Sequence, residues 1–285
     1  MLVAAALAAA VWLVLTPGLR RRRRLALART TFTDEQRGWL ATHAPIYARA
    51  PAELRERLHE LVQIFVREKT FVGCNDLVVT DEMRHAIAAY ACLLVVNRPG
   101  VPRSHFYDEL FSVLVYPSAF VAPQAHHDES GLVTESEDVL SGQAWDAQRI
   151  ILSWQDVLEG ASGGQNVVLH EFAHYLDMED ETMDGAPGLG SASAYQEWSD
   201  AFWDEYERLC DQVDAGADTF LDPYAATEPA EFFAVATESF FMQPREFLAE
   251  HPVLYEQLRK YYRLDPAAWV VQEEQEQPQR TQKGG

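Results

Sequence analysis

The pentapeptide H-E-F-A-H at positions 170–174 constrains this chain more than any other stretch. It lies inside an apolar run at 167–176, which is typical of a helix buried in an enzyme core. Residues four apart lie on one face of a helix, so both imidazoles can reach a single metal ion, and Glu171 can lean over a water bound to that ion. The pattern predicts half of a zinc hydrolase site. Because the motif is short, two ordinary core histidines are the alternative.

A third metal ligand has two candidates. Asp180 lies where an extended form of the motif places its third ligand, but that form needs a sharp turn at a glycine, and position 177 is Asp177. Glu231 follows Pro229, a residue that favours the first turn of a helix, and aromatic and aliphatic residues come after it. An acid at the start of such a helix is where a distant third ligand is expected.

Composition and charge limit the classes of function. The chain has 285 residues, 48% of them hydrophobic, which is enough to bury a substantial core in one large domain or a pair of lobes. Its net charge is −21, although residues 1–29 hold six arginines and no acid. Such an acidic surface repels phosphates, so no direct contact with nucleic acid is predicted. Three widely spaced cysteines fit a reducing compartment.

The N-terminal segment predicts a membrane contact. Residues 2–15 are uncharged and apolar, and five arginines follow at 20–24, the reverse of the order in a secretory signal. The arginines favour the cytoplasmic side, so we predict a cytoplasmic protein tethered through residues 1–24 to the inner face of the cell membrane. A soluble protein whose N-terminal helix docks on the domain is the alternative.

The pattern along the chain predicts an α+β protein with a helical N-terminal part, a small mixed sheet and two metal-binding helices. We divide it into a leader (1–30), a catalytic domain (31–270) and a polar, disordered tail (271–285). Helices are predicted to begin after Thr33, Pro51 and Thr80.

Strands are predicted at 71–79 and between 99 and 154. The clearest strand, at 149–154, comes shortly before the histidine motif. An edge strand at this place can hold the backbone of a peptide substrate by strand addition, so it is a candidate wall of the cleft. A central strand of the sheet is the alternative interpretation.

Three segments together resemble a known family. They are H-E-F-A-H-Y-L-D at 170–177, P-A-E-F-F-A-V at 229–235 and L-D-P at 264–266, and they resemble the Mlc titration factor A family of bacterial zinc-dependent peptidases. The match extends over most of residues 33–270. That family is similar in its active core to the catalytic domain of anthrax lethal factor, a gluzincin, so the resemblance implies a zincin-like fold.

The resemblance also implies roles for individual residues. His170, His174 and Glu231 would bind one zinc ion per chain, and Glu171 would be the catalytic base. Tyr224 would face the substrate, although a packing role at the entry to a helix is the alternative. The implied activity is hydrolysis of peptide bonds, and the family points to an aminopeptidase acting on short peptides.

Two further acids and a rival function complete the expectations. Asp177 and Glu238 are predicted to hold ligand side chains in place, and for Asp177 a role at a helix end fits equally well. The rival function is regulatory, because the family is named for sequestering the transcriptional repressor Mlc. Zinc would then be structural, but structural sites usually have four protein ligands, and three are found here, which favours catalysis.

Overall fold

The computed structural model describes residues 18–269, apart from 119, 128–132, 141, 147, 162, 164 and 181; between 119 and 147 the backbone alone is described. Residues 1–17 of the predicted leader and the predicted tail at 271–285 lie outside the described part of the chain. The division into leader, domain and tail therefore stays a prediction.

Helices dominate the described chain and a small sheet accompanies them, which confirms the predicted α+β class. The α-helices are α1 (residues 18–28), α2 (Asp34–His43), α3 (Pro45–Arg49), α4 (Ala52–Glu68), α5 (Asp81–Val95), α6 (Trp154–Gly160), α7 (Val167–Asp177), α8 (Ala192–Asp214), α9 (Pro229–Met242), α10 (Pro244–Glu250) and α11 (Pro252–Tyr262). The strands are β1 (Thr70–Gly73), β2 (Ser112–Tyr116), β3 (Phe120–His127), β4 (Val133–Leu140), β5 (Gly142–Asp146) and β6 (Arg149–Ser153).

The main sheet is mixed, and its strand order corrects the predicted cleft wall. The order is β1-β2-β6-β5, with β1, β2 and β6 parallel and β5 antiparallel to β6. The strand predicted as an edge, β6, pairs on both sides, because β5 forms a hairpin with it and takes the outer position. In the described sheet, β5 is the edge strand next to α7. The antiparallel pair β3–β4 forms a separate ribbon.

The predicted helix starts are confirmed by their caps. Thr33 accepts a hydrogen bond from Gln36 N at 3.2 Å, and the Gln36 side chain accepts one from Thr33 N at 2.8 Å. Thr80 likewise accepts from Met83 N at the start of α5, and Pro51 directly precedes α4. The two threonine caps satisfy amide groups that have no partner inside the helix, whereas Pro51 makes no side-chain cap bond and favours the start of α4 through its fixed backbone angle. Both signals are local, which explains why local sequence was sufficient to find these ends.

The strand predicted at 71–79 is shorter than expected. It ends at Gly73, and Asn75 and Asp76 then adopt left-handed backbone angles, with φ of 51° and 61°. The chain folds back so closely that a Cβ at Gly73 would lie 1.8 Å from Leu77 O. A turn that only glycine permits therefore ends the strand.

The prediction of a membrane tether is wrong for the segment that the structure describes. Arg24, in the arginine run, is 1% exposed, and its guanidinium binds the Glu68 carboxylate, Asp108 and the carbonyl of Pro102. These bonds direct the arginine into the protein and fix α1 against the domain. In the described residues, none of the helices combines the length and apolar character that a bilayer span requires. The apolar stretch at 2–15, on which the predicted tether depended, lies among residues 1–17, outside the described part of the chain.

The core holds α7 from several sides. Leu169 and Phe172 are fully buried, and the Phe172 ring lies 5.8 Å from Phe65 of α4 and 5.1 Å from Tyr107. The helix also packs against α5, α9 and the β5–β6 hairpin. The apolar faces of α7 thus explain the apolar sequence around its histidines, and they leave one face for polar side chains.

Candidate metal centre

The histidine motif lies on α7, whose start is set by Asn166. The Asn166 side chain accepts a hydrogen bond from Leu169 N at 3.0 Å and caps the helix. His170 and His174 are one turn apart on the same face, and their Nε2 atoms are 3.1 Å apart. Both rings therefore point to the same place, as the spacing predicted.

Glu231 brings a carboxylate to the two rings from the neighbouring helix. Pro229 occupies the first turn of α9, so Glu231 lies at the amino end of that helix. Its Oε2 is 3.0 Å from His170 Nε2 and 3.4 Å from His174 Nε2. Within the described residues, these three side chains form the group that could hold a metal ion.

The spacing of the three atoms fits a metal ion. A tetrahedral ion with ligand bonds of about 2.0–2.1 Å separates its ligand atoms by about 3.3 Å. The observed separations of 3.0, 3.1 and 3.4 Å are close to that value. Two imidazoles and one carboxylate are also the ligand types that a borderline divalent metal prefers. The donor set therefore suits a metal that keeps a further position for a non-protein ligand.

Glu171 is buried beside this group. It is 2% exposed, and its Oε2 has no hydrogen-bond partner among the described residues. Burial, together with the nearby carboxylates of Glu231 and Glu238, raises the pKa of Glu171 to about 8 against the opposing effect of His170. A carboxylate in this environment can hold a proton near neutral pH.

A second carboxylate orients His170. Glu238 Oε1 lies 2.8 Å from His170 Nδ1, and the Glu238 Oε2 atom accepts a hydrogen bond from Asn166 N. Glu238 is 5% exposed. The carboxylate therefore connects the capped start of α7 to the ring, and it leaves Nε2 of His170 turned towards Glu231.

Charge within the group is distributed unevenly. Burial opposes ionisation of Glu231, but hydrogen bonds with His170 and His174 outweigh it and hold the pKa of Glu231 well below its usual value. Burial also disfavours protonation of His170, yet Glu231 and Glu238 raise its pKa well above the usual value. Burial lowers the pKa of His174. The group therefore keeps an ionised carboxylate, which attracts a cation.

Tyr224 lies at the open side of the group. Its side chain is 53% exposed, and its ring is 6.5 Å from the ring of His170. Burial and the adjacent Glu231 carboxylate raise the pKa of Tyr224, so the hydroxyl keeps its proton. Asp222 holds the turn that carries it, accepting hydrogen bonds from Tyr224 N at 2.9 Å and from Gln165 Nε2.

The remaining acids near the motif have other positions. Asp177 ends α7 and accepts a hydrogen bond from Gly185 N at 2.9 Å, which attaches the following loop to the helix end. This contact fits the helix-end interpretation of that residue. Asp180 belongs to a short 3-10 helix, Met178–Asp180, and its side chain lies outside the described part of the structure.

Sequence reasoning missed three contributors to this region. Asn166 precedes an apolar helix, which is a cap signal, but its contact with Glu238 depends on the packing of α9 against α7. Asp222 precedes Pro223 and was available as a cap residue of the turn before Tyr224. The edge strand β5 has no sequence signal that distinguishes it from the strands around it.

Several known proteins are similar in sequence to this chain over most of its length. An uncharacterised protein of Synechocystis is 43% identical over 231 residues, covering 80% of this chain and 82% of that protein. Mlc titration factor A of Pectobacterium atrosepticum is 33% identical over 231 residues, covering 80% of this chain and 86% of that protein. The protein of the same name in Yersinia pestis is 31% identical over 232 residues, covering 80% and 84%.

A family model matches nearly the whole described chain. It is described as glucose-regulated metallo-peptidase M90, and it matches residues 18–263, which include α1 and all the residues of the candidate metal centre. The match confirms the resemblance that the motifs indicated. Together with the curated relatives, it shows that this chain belongs to the M90 family of glucose-regulated metallopeptidases.

Proposed function

We propose that the chain is a zinc-dependent peptidase in which His170, His174 and Glu231 bind the ion. The observation that carries the proposal is the convergence of these three side chains within 4.8 Å beside the buried Glu171 carboxylate. A zinc ion held by three protein ligands would polarise a peptide carbonyl and bring the pKa of a bound water to near 7.

The protein side chains supply the proton transfers. Glu171 accepts the proton of the attacking water, and it then donates it to the amine that leaves. Burial raises the pKa of the Glu171 carboxyl towards neutral pH, and a general acid–base group works best when its pKa lies near the operating pH. Tyr224, with its hydroxyl protonated, donates a hydrogen bond to the oxygen on which negative charge develops. Glu238 keeps the Nδ1 proton of His170 in place.

Substrate backbone would pair with β5. This strand is at the edge of the described sheet and packs beside α7, so its outer backbone groups are positioned to accept an extended peptide. Cleavage at the amino end of short peptides is part of the proposal. Leucine p-nitroanilide should then be hydrolysed, and its N-acetylated form should not. Equal hydrolysis of both would show that a free amino group is not required, and the proposed activity would change from aminopeptidase to endopeptidase.

The substitution Glu171→Gln tests the catalytic proposal. Glutamine keeps the size of the side chain but cannot accept the proton, so hydrolysis should fall by at least about 100-fold, the lower end of a general base contribution. Zinc content should stay at that of the parent. Hydrolysis at the parental rate, or a zinc-loaded parent that cleaves nothing in a broad peptide panel, would refute the catalytic role.

Metal analysis tests the ligands separately. Glu231→Ala should lose zinc, whereas Asp180→Ala should keep it. Loss from the Asp180 variant alone would reverse the assignment of the third ligand.

A second candidate function is binding of a transcriptional repressor. It is favoured by the relatives named Mlc titration factor A, whose name refers to Mlc. Under this proposal, a pull-down with purified Mlc should capture the protein, and Glu171→Gln should bind as the parent does. Failure to bind Mlc would remove this function and leave the peptidase.

A further inference from the structure

A cavity with aromatic walls lies beside the start of α8, outside the metal centre. It measures 490 Å³, within the range of ligand pockets, which is about 300–1,000 Å³. One wall is the first turns of α8, with Tyr195, Trp198, Phe202 and Trp203. The opposite wall is the loop that follows α7 and includes Asp184.

The loop wall is fixed by bonds to both neighbouring helices. Trp198 Nε1 donates to Gly185 O at 2.9 Å, and Gly185 N donates to Asp177 at the end of α7. Asp184 Oδ1 accepts from Ala186 N at 3.2 Å, which holds its carboxylate at the cavity. Since these bonds exist in the protein alone, the cavity is already formed before a ligand arrives.

The polar character of the cavity is acidic. The polar groups in its lining are the carboxylate of Asp184, the amide of Gln196 and hydroxyls of Tyr195 and Ser199, and the lining contains no basic residue. Trp203 is 40% exposed at its edge.

The surface around the cavity continues this charge. The helix α8 has seven acidic residues and one arginine. Asp200 and Glu207, three residues before and four residues after Trp203, flank it on the exposed side of the helix, because residues three and four apart are neighbours there. The arginine, Arg208, already pairs with Glu205 of the same helix. Lys260 of α11 pairs with Glu197 at 2.9 Å, so two of the seven acids of α8 have basic partners and the net charge of this surface stays negative, which attracts a cation.

We propose that this cavity binds an arginine or lysine side chain of a partner polypeptide. The exposed indole offers a face for a cation, the aromatic walls contact the aliphatic part of the side chain, and Asp184 pairs with the charged end. A neutral side chain would lack the contact of a cation with the indole and the pair with Asp184, and an acidic side chain would be repelled. The site lies outside the proposed peptidase machinery, so binding here and hydrolysis can fail independently.

A pair of blocked peptides tests the proposal. The probe is acetyl-Gly-Arg-Gly-Arg-Gly-amide, and its match carries citrulline, which has the shape of arginine without the charge. Titration of the full-length protein is followed by the indole N–H signals of its seven tryptophans in nitrogen–proton NMR spectra. The Trp203 signal should shift with the arginine peptide, and the Trp154 signal should not. The affinity for the citrulline peptide should be lower by at least about tenfold, which corresponds to roughly 1.4 kcal/mol of lost cation contacts.

Three variants complete the test, two of which remove one negative charge each. Asp184→Asn keeps the acceptor for Ala186 N and should weaken binding about tenfold, and Trp203→Ala should weaken it by a similar factor. Asp214→Asn removes an exposed acid at the far end of α8 and should bind within about twofold of the parent, since surface charges at that distance are screened. Zinc content and peptide hydrolysis should be unchanged in all three. Equal binding of the citrulline peptide, equal losses in Asp184→Asn and Asp214→Asn, or no shift of Trp203 would overturn the proposal.

Discussion

Glu238 Oε1 lies 2.8 Å from His170 Nδ1, and through this contact α9 contributes two side chains to the candidate metal centre. Glu231 and Glu238 are seven residues apart on α9, two helical turns, so they lie on the same face. One of them reaches His170 at Nε2 and the other at Nδ1. The ring is therefore held from both sides by a single helix.

The first prediction concerns this contact. Glu238→Gln should reduce zinc affinity by about 10- to 100-fold, because a carboxylate that fixes a metal-bound histidine typically contributes that much. Competition with a chelator measures the affinity. The control is Glu246→Gln, which changes an exposed glutamate on α10 and should leave affinity at the parental value. Parental affinity in the Glu238 variant would show that the contact does not support metal binding.

A second prediction concerns the turn that carries Tyr224. Tyr224→Phe should lower kcat about 100-fold if its hydroxyl stabilises an oxyanion. Asp222→Ala should lower kcat with little change in KM or zinc content, because Asp222 accepts from Tyr224 N and fixes the turn.

Combining the two substitutions sharpens this test. In the Tyr224→Phe background, Asp222→Ala should have little further effect on kcat, since residues that act through one another are not additive. Asp218→Ala, at an exposed position in the preceding loop, serves as the control and should hydrolyse as the parent does. Fully additive losses would mean that Asp222 acts by another route.

The third prediction separates one arginine of the N-terminal run from its neighbours. Arg24→Ala should lower the free energy of unfolding by about 3 kcal/mol, the lower end of the cost of breaking a buried ion pair, because it leaves the partly buried carboxylate of Glu68 without its partner. Arg22→Ala changes an exposed arginine of the same helix and should shift it by less than about 0.5 kcal/mol. Urea denaturation measures both. Equal effects would contradict a structural role specific to Arg24.

The fourth prediction is a pH dependence of stability from Lys69. This residue is 7% exposed, and its ammonium donates to Leu110 O at 2.8 Å and to Tyr107 O. Burial lowers the pKa of Lys69 from 10.5 to about 8. The unfolded chain therefore binds the proton more tightly, so folding is penalised below about pH 8 and the penalty disappears as the pH rises towards 10.5.

The comparison with Lys69→Met isolates this effect. At each pH, the free energy of unfolding of the variant is subtracted from that of the parent. In this difference, the contributions of the other titrating groups cancel. The difference should increase in favour of the parent between pH 8 and 10.5, with a slope of at most about 1.4 kcal/mol per pH unit. A flat difference over this range would contradict the lowered pKa.

Local sequence was sufficient for the features that short-range physics sets. Thr33 and Thr80 marked helix starts because a cap depends on residues three apart, and the spacing of His170 and His174 fixed a shared helix face. Pro229 placed Glu231 in the first turn of its helix for the same reason.

The features that sequence could not predict depend on contacts between segments that are distant along the chain. The position of β6 inside the sheet depends on its hairpin with β5, and neither strand carries a residue pattern that fixes this order. The run of arginines looked uniform in sequence, yet packing selected Arg24 for burial against Glu68 and left Arg22 exposed. The sequence gives the charge of each arginine, but the packing of distant segments determines which carboxylate it pairs with.

The sequence by itself determined the chemistry of this protein: two histidines and an adjacent glutamate on a buried helix, and a second helix that begins with a glutamate. Glu238 was predicted to hold a ligand side chain, but only the tertiary structure decided that this side chain is His170 and that β5 lies beside the site. The physical reason is distance along the chain. Helix faces and caps depend on neighbours within about four residues, whereas these contacts join segments that only the packed core brings together.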